Sequence, residues 1–449
     1  AYIAREENRR ATQNLGFAKQ AVDQTLSSAG LDPAAAGADV PQMTEFRRQL
    51  LEKAKTFYDD FLKQDARSQT LRREMALAHL RLGHIDRWLE RADDAAREYG
   101  QAIGVFEMLE KESNIADDRQ GLANAYNWLG LTLTPLPNRA VDAAKAYDNA
   151  LAIQDQLMRS SPARADYQQE AARSHYNRGI LRGGSADPGT SEFRDAESDF
   201  REAIRLLEPL ASRDTDHVPS LELARVYNNL ASLLALDDTR LSEARTLYEM
   251  AIRQDEMLMK AEPGNRVYMM ELAQFSNNLS YLLGQLGEST LASARNQQAL
   301  DLLDTLARPA PSLAVEQADT HNLRGRMLQA TNTRGALAEY QEAFEIFDKV
   351  WRDPSARYTS RLHQRYQDFL VNLARFARES QNADVHTVLM PAINAYFDFA
   401  NASVASGSIA DAKIVADGIS KLLPELPPRD QAEVVTRDRA LQAKLAAYK

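Results

Sequence analysis

YNNLASLLALDDTRLSEARTLYEMAI, Tyr227 to Ile252, holds two patterns back to back. In the first half Ala231 follows Ala224 by seven residues, with Leu230 just ahead of it. Seven residues is nearly two helical turns, so the pair clears one stripe where a neighbouring helix can come close. In the second half Ala244, Tyr248 and Ala251 stand four and three apart, which puts small, aromatic and small side chains on one helical face. The stretch therefore predicts a helix A with a bare stripe, a short break, and a helix B with a ring to lay on it.

Both patterns recur outward from this point. The small–aromatic–small triplet reads Ala95-Tyr99-Ala102, Ala143-Tyr147-Ala150, Ala196-Phe200-Ala203, Ala244-Tyr248-Ala251, Ala292-Asn296-Ala299 and Ala336-Tyr340-Ala343. Its last Ala returns at intervals of 48, 53, 48, 48 and 44 residues. Upstream of each copy lies a small pair seven apart: Ala76/Gly83, Ala123/Gly130, Ala172/Gly179, Ala224/Ala231, Ala273/Ser280 and Ala318/Gly325. Breakers such as Thr134-Pro135, Gly183-Gly184 and Pro263-Gly264 fall between helices. Neither helix can bury its stripe alone, so six pairs must stack. The composition agrees. Only 19 Gly and 16 Pro occur in 449 residues, too few for a sandwich, barrel or propeller.

The absence of Cys excludes a disulfide scaffold, a zinc ribbon and a thiol enzyme, and a net charge of −10 argues against a nucleic-acid partner. No run of about 18 apolar residues crosses a membrane within the chain. The stub Ala1-Tyr2-Ile3-Ala4, ahead of mixed charges, is read either as the end of a membrane helix preceding Ala1 or as an ordinary solvated helix start.

Leu82-Gly83 followed by Ala95, Tyr99 and Ala102 resembles the tetratricopeptide signature, and the other copies follow it. The period, near 48 where about 34 is usual, is similar to that of kinesin light chains. Asn296 at an aromatic position, and Arg178 and Arg324 where Leu is usual, depart from the pattern. The resemblance implies an all-α, right-handed α-α superhelix with a helical lead-in segment and a helical C-terminal cap. The expected divisions are 1–66 for the lead-in, 67–352 for six helix pairs, and 353–449 for degenerate repeats and cap. Within the flanks, helices are expected over Ala4–Leu26, Met43–Leu62, Arg357–Glu379, Ala383–Ala402, Ile409–Leu423 and Gln431–Tyr448. The opening helix, the Pro41 loop, FRRQLLEKAKTFYDDFL (Phe46–Leu62) and LRREMALAHLRLG (Leu71–Gly83) together resemble the region after the membrane helix in bacterial eukaryotic-like serine/threonine kinases that carry such repeats. That resemblance implies a sensing or protein-contact region outside the cytoplasm; the alternative is a free-standing cytoplasmic adaptor or scaffold unconnected to a kinase.

No kinase phosphate loop, strand lysine or catalytic aspartate pattern is present, nor a Walker or dinucleotide motif, so the chain is expected to have no catalytic residues and no cofactor. Any kinase domain would lie outside it. The seven His are scattered, and His79, His175 and His321 share a helix A register with Tyr126 and Tyr227, which reads as packing; no metal site is expected. Adjacent acids such as Asp59-Asp60 and Asp93-Asp94 diverge on a helix and read as solvated faces.

A repeated Asn is more informative. Four residues after the first small residue come Asn127, Asn228, Asn277 and Asn322, and the next position holds Asn177, Asn229 and Asn278. Asn is a mediocre helix former, so propensity does not explain the recurrence. Its amide donates and accepts, which suits an extended peptide backbone. Arg173, Arg225 and Arg326 nearby would anchor acidic groups. Two readings stand open together: a peptide-binding concave groove, and a ladder in which the amides bond from one repeat to the next. The expected partner is a protein or peptide, with self-association as a further option.

Overall fold

In the computed structural model the described residues are 41–63, 68–113, 115–136, 138–184, 186–213, 217–306, 311–352, 360–380 and 382–447. The expected helix Ala4–Leu26 and most of the loop after it lie outside them; Pro41 and Gln42, expected in that loop, instead open a helix, where a proline suits the first turn. The fold is all-α and tetratricopeptide-like: seventeen α-helices and no strand among the described residues. A first helix, α1 (Pro41–Leu62), precedes six pairs. They are α2 (Gln69–Trp88) with α3 (Ala92–Ser113), α4 (Ala116–Leu133) with α5 (Ala140–Ser160), and α6 (Ala165–Gly183) with α7 (Ser191–Ala211). Then come α8 (Val218–Leu234) with α9 (Leu241–Ala261), α10 (Arg266–Gln285) with α11 (Ser289–Thr305), and α12 (Pro311–Leu328) with α13 (Thr333–Arg352). Four more follow: α14 (Ser360–Ser380), α15 (Ala383–Ser406), α16 (Ile409–Leu422) and α17 (Pro428–Ala446). The helices form two compact units that divide between Tyr268 and Met269, within α10.

The reason for the small–aromatic pairing is geometric. A Cβ placed on Gly83 would lie 2.5 Å from the Tyr99 ring, and one on Gly130 would lie 2.7 Å from Tyr147. Gly179 meets Phe200 at 2.9 Å and Gly325 meets Tyr340 at 3.1 Å in the same way. The ring fills the notch that the missing side chain leaves, so the two helices close without a void. In the fifth pair the ring is absent. There Ser280 donates to the Ala292 carbonyl at 2.7 Å, and the fully buried Asn296 donates to the Thr320 carbonyl at 3.1 Å. The departure at Asn296 thus trades ring packing for a hydrogen bond to the next helix.

Helix boundaries follow local chemistry. Ser68 and Thr190 cap α2 and α7 by accepting from the Leu71 and Phe193 amides at 3.1 and 3.2 Å. Gly407, at φ 85°, takes the left-handed residue that ends α15. Within the first unit the A helices α2, α4, α6 and α8 approach one another along the stack more closely than the B helices do, so they form the inner side of its curve.

The second unit ends differently. Phe347, Trp351, Tyr366, Phe369 and Tyr396 are buried together, with Phe347 edge-on to Tyr366 at 5.1 Å and Trp351 edge-on to it at 5.3 Å. The α17 helix lies over this core through Val434, Leu441 and Leu445. Arg437 stacks on Phe397 at 4.7 Å.

Candidate functional site

On each A helix of the first unit, positions four, three and four apart fall on one face. In α4 these are Asn124, Trp128, Leu131 and, just past the helix, Pro135; in α6 they are Arg173, Asn177, Ile180 and Gly184. In α8 they are Arg225, Asn229, Ser232 and Leu236. All of these are half-buried or exposed, with Ile180 at 38% and Leu236 at 53%. Because the A helices form the inner side, this face is the concave surface of the unit. Apolar side chains here were not singled out by the repeat pattern. The signal that could have found them is their spacing from the invariant small pair.

The structure divides the expected Asn residues into two sets. Asn127, Asn228 and Asn322 are buried, at 4%, 4% and 7% exposure. In the first unit Asn127 and Asn228 sit one position round from the concave face, in the seam between successive A helices. Asn177, Asn229, Asn277 and Asn278 are half-buried. The seam is laddered: the Asn177 amide donates to the Asn127 carbonyl oxygen at 3.1 Å, and Asn229 donates to the Tyr176 hydroxyl at 2.8 Å. In the second unit Asn372 donates to Asn322 at 3.3 Å and Asn277 donates to Thr320 at 2.7 Å. Bonding from one repeat to the next, which sequence reasoning left level with peptide contact, is therefore present in both units.

The Arg residues are engaged as well. Arg173 donates to Glu222 at 2.5 Å and to Glu170 at 2.6 Å, while Gln169 donates to Glu222 at 3.0 Å. Burial pushes the Glu170 carboxyl above its ordinary range despite the guanidinium beside it. Arg326 lies over the Tyr281 ring at 4.9 Å. Arg225 also has a partner within the protein. At the start of the concave face, Arg87 covers the Trp128 ring at 4.9 Å, and the His84 ring meets that indole edge-on at 4.6 Å. His84 also shares a hydrogen bond with the Tyr99 hydroxyl at 2.8 Å. Burial, with Arg81 and Arg87 nearby, pulls its pKa down to about 3, so the imidazole is neutral at physiological pH.

The register shared by His79, Tyr126, His175, Tyr227 and His321 has a common task. Each side chain bonds a carboxylate on a B helix: His79 to Glu98 at 2.8 Å, His175 to Asp199 at 2.8 Å, and His321 to Glu339 at 2.7 Å. The longer tyrosines reach back to the preceding pair, where Tyr126 donates to Glu107 and Tyr227 to Glu208, both at 2.8 Å. The two Arg departures belong to the same pattern. Arg178 donates to Asp199 at 2.6 Å, and Arg324 approaches Glu339 at 3.3 Å. Burial alone would raise Asp199, but the hydrogen bonds from His175 and Arg178 hold it below its ordinary value.

No protein-family profile matches this sequence, and no curated protein does. Solved structures do. The chain is 16% identical to BtubC (BKLC) from P. vanneervenii, covering 60% of this chain and 94% of that one, with a TM-score of 0.42. It is 12% identical to the apo form of RapI over 71% and 98% of the two chains, at a TM-score of 0.47. The apo quorum sensor NprR from B. thuringiensis matches at 13% identity over 78% and 82%, at 0.46.

Proposed function

We propose that this chain is a non-catalytic interaction module whose first unit binds an extended protein segment along its concave face. The observation that carries the reading is the face itself. Trp128, Leu131, Ile180 and Leu236 offer apolar contacts along the A helices, and Asn124, Asn177 and Asn229 place amides beside them. Alternating apolar and amide contacts suit a strand whose side chains alternate while its backbone offers donors and acceptors. The roles differ from a simple row of Asn contacts: Asn127 accepts from Asn177 in the seam beneath, Asn228 is buried there, and Arg173 is held by two carboxylates. Selection of random displayed peptides on the purified chain tests it. Peptides so enriched should lose at least about tenfold in affinity against Ile180→Asp and Leu236→Asp, since each exposed anchor contributes on the order of 1–2 kcal/mol. Helicity should be kept. Unchanged affinity in both variants overturns the reading.

The wider context proposed is the regulatory region of a membrane-anchored serine/threonine kinase, outside the cytoplasm. Its support is the sequence of Phe46–Leu62 and Leu71–Gly83. Among the described residues no helix is long and apolar enough to cross a membrane. The gene upstream of Ala1 tests the proposal: a hydrophobic span of about 20 residues after kinase motifs supports it, and a start codon without them leaves an adaptor.

A further inference from the structure

Three times in the first unit an A helix is flanked by two successive B helices, and two of these clefts are filled from within. Over α6, Arg178 and Arg182 reach Asp199 at 2.6 and 2.7 Å, and Arg178 also holds Asp148 at 2.6 Å. Over α8, Arg240, just ahead of α9, crosses to Glu197 on α7 at 2.6 and 2.8 Å. Over α4 neither device exists. Leu129, Leu133 and Ala146 occupy the registers of Arg178, Arg182 and Asp199. Ala96 stands in the register of Glu197, so Arg139, the counterpart of Arg240, keeps only the local bond to Asp142 at 2.8 Å, as Arg240 has to Glu243.

What remains is a cleft of about 610 Å³ between α3, α4 and α5, on the side away from the concave face. Its floor is apolar, from Tyr126, Leu129 and Leu133. Tyr126 spends its hydroxyl on Glu107. Three cations, Arg97, Arg139 and Lys145, face two acids, Asp93 and Asp142. Arg139 and Asp142 satisfy each other, and Arg97 bonds Asp94 outside the lining at 2.8 Å. Asp93 is exposed in the first turn of α3, where the helix field favours a carboxylate. Lys145, on the α5 wall, has no ion-pair partner among the described residues. We propose that this cleft binds an amphiphilic organic anion, an aryl or alkyl carboxylate whose apolar body covers Leu129 and Leu133 while its carboxylate pairs with Lys145. An apolar floor rewards the body by removing it from water. The one uncompensated ammonium selects the charge.

Calorimetric titration of the full chain with phenylbutyrate, phenylbutanol and phenylbutylamine tests this. Phenylbutyrate should bind saturably, and the alcohol and amine at least about tenfold more weakly. Lys145→Gln should weaken phenylbutyrate about tenfold and leave phenylbutanol unchanged. Grafting the filling of the neighbouring cleft, Leu129→Arg with Leu133→Arg and Ala146→Asp, should abolish binding. Ala96→Glu, which rebuilds the Arg139 bridge at a half-buried rim, closes the cleft in a second way should the triple variant not fold. Absence of saturable phenylbutyrate binding, equal binding of the amine, or full binding by Ala96→Glu overturns the proposal. Displayed peptides selected on the concave face should bind Ala96→Glu as they bind the original chain, which separates the two sites.

Discussion

The seam between α2 and α3 and the core around α14 bury aromatic rings by opposite means. In the first, one ring, Tyr99, lies in a notch made by one missing side chain at Gly83. In the second, rings from three helices pack on one another: Phe347 and Trp351 from α13, Tyr366 and Phe369 from α14, Tyr396 from α15. The notch needs only one partner, on the next helix, and so can be repeated along a chain. The ring cluster needs many partners at once, and so terminates the stack.

The largest expected effect separates the two directly. Tyr147→Ala and Phe347→Ala should each cost about 3–5 kcal/mol, as for other buried aromatic truncations. Their reach should differ. Loss of Tyr147 should speed amide hydrogen exchange chiefly in α4 and α5, because its notch belongs to one pair. Loss of Phe347 should speed it through α13, α14 and α15, which share the cluster. Equal spread of exchange in both variants would break the comparison.

A smaller effect comes from acid. Each region holds a neutral imidazole: half-buried His84 beside Trp128 and Tyr99, and His363, 2% exposed, among Trp351, Tyr396 and Phe399. The His363 ring nitrogens have no hydrogen-bond partner among the described residues, and burial lowers its pKa although Asp411 pulls the other way. An unfolded His titrates near 6.5. Below that pH the unfolded chain takes up a proton that the folded ring refuses, so stability falls as pH falls, down to the folded pKa. For His84, whose folded value is about 3, the loss by pH 5 is about 2 kcal/mol. Urea unfolding followed at pH 7 and pH 5 by tryptophan fluorescence should show it, and His84→Gln should shrink the difference by about 2 kcal/mol. A pH-independent midpoint in the original chain would refute the assignment.

The pairing was legible in the sequence because a small pair seven apart and a triplet spaced four and three leave a periodic trace. Each small pair falls in an A helix and each triplet in a B helix, and the last four helices lie within about four residues of their expected bounds. The Arg departures read as irregularities because their reason lies on another helix: Asp199 is 21 residues from Arg178 in the chain. The concave apolar side chains escaped notice because Trp128, Ile180 and Leu236 share a face but not a residue type. The Asn row was visible, but its dual use was not. One helical position, 100° of rotation, decides whether an amide faces the neighbouring repeat or the open groove.

That rotation gives the smallest and most discriminating prediction. Asn177 stands at the border, on the concave face yet bonded to the buried Asn127 at 3.1 Å. Asn177→Ala removes a donor and leaves the Asn127 carbonyl oxygen unpaired where water scarcely reaches, which should cost about 1–2 kcal/mol. The counterpart Asn372→Ala breaks a longer bond of 3.3 Å to Asn322 and should cost about 0.5–1 kcal/mol. Replacing Asn127 as well, in Asn127→Leu with Asn177→Ala, removes both halves of the bond and should recover part of the loss, because no buried polar atom is then stranded. Peptide affinity supplies the second axis. A ladder that serves only the fold loses stability in Asn177→Ala and keeps its affinity for selected peptides once folding is corrected for. A border residue that also meets the ligand loses about fivefold to tenfold in affinity in the single variant, and the double variant, though steadier, does not regain it. Recovery of affinity along with stability would assign Asn177 to the seam alone and leave the groove to its apolar row and Asn229.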